Sequence, residues 1–117
     1  MEAQMIYVPK RLPVKFCALS SGAEPVRDWL LTFSKEERAR IGEALSVIEF
    51  GWPIGMPTCR PMGGGLFEMR TNLQSRIVRV LFCVHEGRMV LLHGFIKKTQ
   101  ETPQADLELA RDRMRNL

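Results

Sequence analysis

Apolar and polar positions alternate most clearly between Gly65 and Lys98. There, branched and aromatic runs at 66–71, 75–84 and 88–98 are interrupted at Asn72-Leu73-Gln74 and at Glu86-Gly87. Three antiparallel strands joined by tight hairpins is the economical reading. A two-residue turn at Glu86-Gly87 sets Val84 against Met89, Phe82 against Leu91, Val80 against His93 and Val78 against Phe95. Side chains alternate faces along a strand, so these pairs form one mostly apolar surface. The other surface carries Leu81, Leu92, Arg79 opposite Gly94, and Lys98. A short turn near Leu73-Gln74 sets Arg70 against Ile77 and Glu68 against Arg79. Glu68, Arg70, Arg79 and Lys98 then share one side of the sheet, an arrangement suited to an anion. A solvated face with one cross-strand ion pair would leave the same pattern, and a one-residue slip would exchange the faces.

The flanking segments fill in the fold. Val14 to Leu19 alternates and predicts a first strand, ended by Ser20-Ser21-Gly22. Pro25 suits the first turn of a short helix, whose Val26, Trp29, Leu30 and Phe33 recur at helical spacing. Ser34-Lys35-Glu36-Glu37 has the form of a capping box, followed by an apolar stripe of Ile41, Ala44, Leu45 and Ile48 and a stop at Gly51-Trp52-Pro53. Gly51 to Gly65, rich in glycine and proline, reads as a loop and matches no phosphate-loop motif. Thr102-Pro103 predicts the cap and first residue of a closing helix with Leu107, Ala110, Met114 and Leu117 on its apolar side. Arg111, Arg113 and Arg115 suit that helix's C-terminal dipole. The expected class is α+β with the helices on one side of the sheet: an antiparallel sheet of about four strands, an N-terminal helical hairpin packed on one face, and a C-terminal helix.

Length and composition bound this picture. The 117 residues suffice for one domain, preceded at 1–13 by an irregular arm with two prolines. No apolar run approaches the ~20 residues of a membrane helix, and the acidic start lacks a secretory pattern. The expected compartment is the cytoplasm, with no membrane partner. Cys17, Cys59 and Cys83 are widely spaced and odd in number, which predicts buried thiols rather than disulfides or a metal site. No cofactor is implied.

Charge is unevenly placed. The net +4 comes from residues 60–117, since residues 1–59 hold 7 basic and 7 acidic side chains. Between Arg60 and Lys98 there are 7 basic and 2 acidic residues, the latter Glu68 and Glu86. Such a local excess is the footprint of a phosphate or nucleic-acid partner, although an acidic protein would suit it as well.

Four groups of residues, in order, carry a family likeness: Gly51-Trp52-Pro53-Ile54-Gly55, Leu66-Phe67-Glu68-Met69-Arg70, Arg79-Val80-Leu81-Phe82, and His93 through Pro103. Together they resemble the phage-derived branch of the RelE/HigB-like toxins, with 14–117 as a single RelE-like toxin domain. The resemblance implies the toxin of a type II toxin–antitoxin pair, a ribosome-dependent endoribonuclease that cuts mRNA without metal. In that reaction the 2′-hydroxyl attacks the adjacent phosphate and leaves a 2′,3′-cyclic phosphate and a 5′-hydroxyl. Its implied partners are a cognate antitoxin of helix-turn-helix type, the ribosome and mRNA.

By the same likeness, Arg79 matches the phosphate-stabilising arginine and Lys98 a basic position after the last strand. Arg70 joins them, and Arg60, Arg76 and Lys97 are expected to bind RNA. Two departures stand out: Glu68 occupies a position where RelE has a lysine, and Asp106 to Leu117 lacks the helix tyrosine, Tyr7 being the only one. Glu68, His93, a lysine of depressed pKa or a group supplied by the ribosome would then have to move the proton, with His93 expected on the apolar face. A non-catalytic binding protein or gyrase inhibitor on the same fold is the alternative.

Overall fold

The computed structural model describes residues 8–97 and 101–117. It has five strands and three helices in the order β1 (Val14–Phe16), α1 (Pro25–Leu30), α2 (Lys35–Gly51), β2 (Cys59–Gly63), β3 (Leu66–Asn72), β4 (Ile77–His85), β5 (Arg88–Lys97) and α3 (Gln104–Arg115). The sheet order is β1-β5-β4-β3-β2.

The meander forms as its pattern requires, with one irregularity. Glu86 and Gly87 both take positive φ, 51° and 72°, the geometry of the two-residue turn whose twist matches the strands. Val84 pairs with Met89 and Phe82 with Leu91 as expected, but the register then breaks, and Leu81 pairs with His93, Val80 with Gly94 and Arg79 with Phe95. Leu92 is the extra residue of this bulge. Its carbonyl accepts a hydrogen bond from Arg113 Nη1 at 2.8 Å. A bulge exchanges the faces beyond it, so the expected pairs of Val80 with His93 and Val78 with Phe95 do not form.

The β3–β4 turn also differs. Leu73 N donates to Arg76 O, which closes a four-residue turn, and Leu73 is buried. Arg70 therefore lies against Arg79, and Glu68 against Leu81. This register moves by two positions, so both residues keep the expected face.

Three further expectations are corrected. The sheet is mixed, because β1 runs parallel to β5. It also has a fifth strand: β2 lies inside the segment read as a loop, with Arg60 opposite Glu68 and Pro61 opposite Phe67. Pro61 concealed it, but an edge strand tolerates a residue without an amide hydrogen. Finally, the helices cover both faces. Val26, Phe33, Ile41, Leu45 and Ile48 pack with Val78, Val80 and Phe82, whereas Leu107, Ala110 and Met114 pack with Leu81 and Cys83. Alternate residues of β4 thus face opposite layers.

The helix ends follow the local chemistry. Ser34 and Glu37 form the reciprocal capping box. At the other end of α2 the buried Glu49 fastens the arm: its carbonyl accepts from the Arg11 and Leu12 amides, and its carboxylate takes Val14 N at 2.8 Å and Lys10 Nζ at 3.1 Å. Residues 8–13 have no regular structure but are anchored, with Leu12 buried; residues 1–7 of the expected arm lie outside the described residues. The arginines of α3 are clamps as well as dipole partners, since Arg111 donates to Gly63 O and Met62 O and Arg113 to Leu92 O. Among the described residues no helix is long and apolar enough to cross a membrane.

Candidate anion-binding site

Four strands each contribute one cation to a single cleft. Arg60 from β2, Arg70 from β3, Arg79 from β4 and Lys97 from β5 line a hollow of about 140 Å³, together with Glu68 and the loop residues Met56 and Pro57. Strand pairing accounts for the convergence. Arg60 lies against Glu68, Arg70 against Arg79, and Lys97 at the end of β5 against Ile77. The volume falls well below the ~300–1,000 Å³ of a pocket that encloses a whole small molecule. Such a hollow takes a charged group rather than an entire ligand.

Like charges directly opposite on neighbouring strands repel, and Glu68 relieves that repulsion from within. Its carboxylate accepts from Arg79 Nη1 on one oxygen and from the Thr102 hydroxyl on the other. Both ion-pair side chains are buried, Glu68 at 1% and Arg79 at 4% exposure. Burial, then Arg60, presses the Arg79 guanidinium below its ordinary value, although an arginine stays charged. Arg79 Nε is buried with no partner among the described residues. Lys97 is half-buried, and its amine is also held below its ordinary value, first by burial and then by Arg79, Arg70 and Arg60. One carboxylate already engaged by two donors leaves the cleft strongly positive.

Among the described residues, Arg76 and His93 lie elsewhere. Lys98 falls outside the described residues. Arg76 points away from the cleft: its Nη2 bonds Glu37 Oε2 at 2.6 Å, and its guanidinium lies 5.1 Å from the centre of the Phe33 ring. The bulge carries His93 off the apolar face, where Val80 was to oppose it. Its Nε2 lies 2.5 Å from Asp106 Oδ1, and its ring stacks on Phe95 at 5.7 Å. It opens on a separate pocket of about 190 Å³ with Trp29, Gly94 and Arg113.

Two participants escaped sequence reasoning. Thr102 was expected to cap α3, but Pro103 holds the cap position and the Thr102 hydroxyl reaches Glu68 instead. Asp106 gave no signal beyond its place in the first turn of a helix. A larger cavity of about 660 Å³ lies between Cys17–Ser20 and the end of α3. Of its polar groups, Arg113 is bound to Leu92 O and the Cys17 thiol is raised by burial, so it lacks the convergent charge of the smaller cleft. Cys59 and Cys83 are likewise free, buried and raised, Cys59 to about 11. Among the described residues no three His, Cys, Asp or Glu side chains gather as metal ligands would.

Fold and cleft define a small α+β protein with a cationic hollow on one sheet face. Residues 28–115, more than half of the chain, match the family of phage-derived Gp49-like proteins. The chain belongs to that family, a RelE/HigB-like toxin family of type II toxin–antitoxin systems. No curated protein matches it.

Proposed function

We propose that the protein is the toxin of a type II pair and cleaves mRNA on the ribosome by attack of a ribose 2′-hydroxyl on the adjacent phosphate. The observation that carries this reading is the convergence of Arg60, Arg70, Arg79 and Lys97 on one cleft whose Glu68 carboxylate is already bonded. Cations fixed around a phosphate stabilise the charge that builds on it in the transition state. The cleft's cations are carried by paired strands of one hydrogen-bonded sheet, which holds them in place before a phosphate arrives. A cognate antitoxin, expected to be a helix-turn-helix protein encoded beside this chain, would neutralise it.

The test uses Arg60→Ala and Arg70→Ala, whose side chains are exposed and whose loss spares the buried ion pair. Expressed in cells, wild-type protein should arrest growth and cut translated mRNA, leaving 5′-hydroxyl ends. The double variant should do neither while remaining folded. Unchanged toxicity in that variant would refute the assignment. The buried Arg79–Glu68 pair and the tyrosine-free α3 favour a second reading, a binding protein that inhibits gyrase without catalysis. DNA damage with intact mRNA on expression would select it.

A further inference from the structure

We infer that Lys97 is the general base of the cleft, taking the proton of the attacking 2′-hydroxyl. This inference rests on the ribonuclease reading above and names the residue that performs its proton transfer. The argument is one of position. The Glu68 carboxylate is buried under Arg79 and Thr102 and cannot reach a substrate hydroxyl without breaking both bonds. His93 faces a different pocket and is held by Asp106. Arg60, Arg70 and Arg79 do not release protons at any working pH. Among the described residues lining the cleft, that leaves the Lys97 amine, half-buried at the end of β5.

The electrostatics agree with the geometry. Every charged group facing Lys97 from β2, β3 and β4 is a guanidinium, apart from the neutralised Glu68. A cluster of four like charges sheds one where it is least costly, and only the amine can lose its proton. Burial and the three arginines accordingly lower its pKa, which raises the share of neutral amine able to act as a base.

In the step, Lys97 Nζ takes the 2′-hydroxyl proton as the 2′-oxygen bonds to phosphorus. The bond from phosphorus to the 5′-oxygen breaks, and that oxygen keeps the electron pair and takes a proton from water. The ammonium then returns its proton to the hydroxide so formed. The products are a 2′,3′-cyclic phosphate and a 5′-hydroxyl, and Lys97 is regenerated.

The experiment is single-turnover cleavage of mRNA in programmed ribosomes as a function of pH, for wild type, Lys97→Arg and Lys97→Ala. Lys97→Arg retains the charge and loses the base. It should slow cleavage by about 10²–10⁴-fold with little change in KM, and without the plateau the wild-type rate reaches once Lys97 is neutral. Added ethylamine should partly restore Lys97→Ala. A wild-type rate in Lys97→Arg would overturn the inference and leave Lys97 as a charge only. Intact mRNA with wild-type protein would instead overturn the ribonuclease reading itself. A nitrogen NMR titration provides a readout free of activity. The Lys97 amine should titrate below the ordinary lysine value and move back up when inorganic phosphate fills the cleft; titration at the ordinary value would also overturn the inference.

Discussion

Removing Arg79 would strand a carboxylate. Glu68, 1% exposed, would keep Thr102 as its described partner and lose the guanidinium that neutralises it. Breaking one side of a buried ion pair costs about 3–5 kcal/mol, more than the pair itself contributes. Arg79→Ala should therefore lower the urea midpoint sharply, and Glu68→Gln/Arg79→Met should recover much of that loss. An inactive Arg79→Ala protein would thus report folding before it reported chemistry. Arg76 offers the opposite contrast. With the Ser34 backbone amide, it holds the half-buried Glu37 carboxyl below its ordinary 4.5. A depressed carboxyl stabilises the fold above its unfolded value, and that contribution is lost as pH falls through the folded value. Arg76→Ala should flatten the stability profile below pH 4.5, measured by urea unfolding, and leave mRNA cleavage unchanged.

At the scale of elements, the bulge at Leu92 decides what the sequence could and could not reveal. The turn at Glu86-Gly87, the capping box at Ser34 and the helical stripes depend on neighbours within a few residues, and the chain shows them plainly. The bulge is met by Arg113, 21 residues away, whose guanidinium donates to the Leu92 carbonyl. No alternation of apolar residues announces such a partner, so the alternation alone puts His93 on the face opposite to the one it occupies. The strand at Cys59–Gly63 was hidden for a related reason, since only its pairing with β3 makes a segment with Pro61 and Gly63 extended. Face membership of Glu68, Arg70 and Arg79 survived because the β3–β4 register moved by an even number of residues. If Arg113 holds the bulge, Arg113→Ala should cost about 1–3 kcal/mol for the stranded carbonyl. Arg115→Ala, which breaks an exposed pair with Asp112, should stay within about 0.5 kcal/mol. The same bulge brings Gly94 under Trp29, where a Cβ would lie 2.2 Å from Cζ3. Gly94→Ala should destabilise by about 1–3 kcal/mol through overpacking and shift the tryptophan fluorescence.

Across the whole molecule, the +4 charge is focused rather than spread. Its surplus lies in residues 60–117, and four neighbouring strands each deliver one cation to the same hollow. Repulsion among those cations opposes folding, so an anion that binds there should stabilise the protein through linkage, by about 2.7 kcal/mol at a hundred times its dissociation constant. Inorganic phosphate should raise the melting temperature of the wild type and of Arg76→Ala, and do so much less for Arg60→Ala and Arg70→Ala. Binding to single-stranded RNA should weaken with salt, the logarithmic slope changing by about 0.7 for each phosphate contact. Arg60→Ala should reduce that slope by roughly this amount, while Arg76→Ala, whose cation lies outside the cleft, should leave it alone. Equal losses from the two variants would mean that total charge, and not its convergence on four strands, governs the interaction.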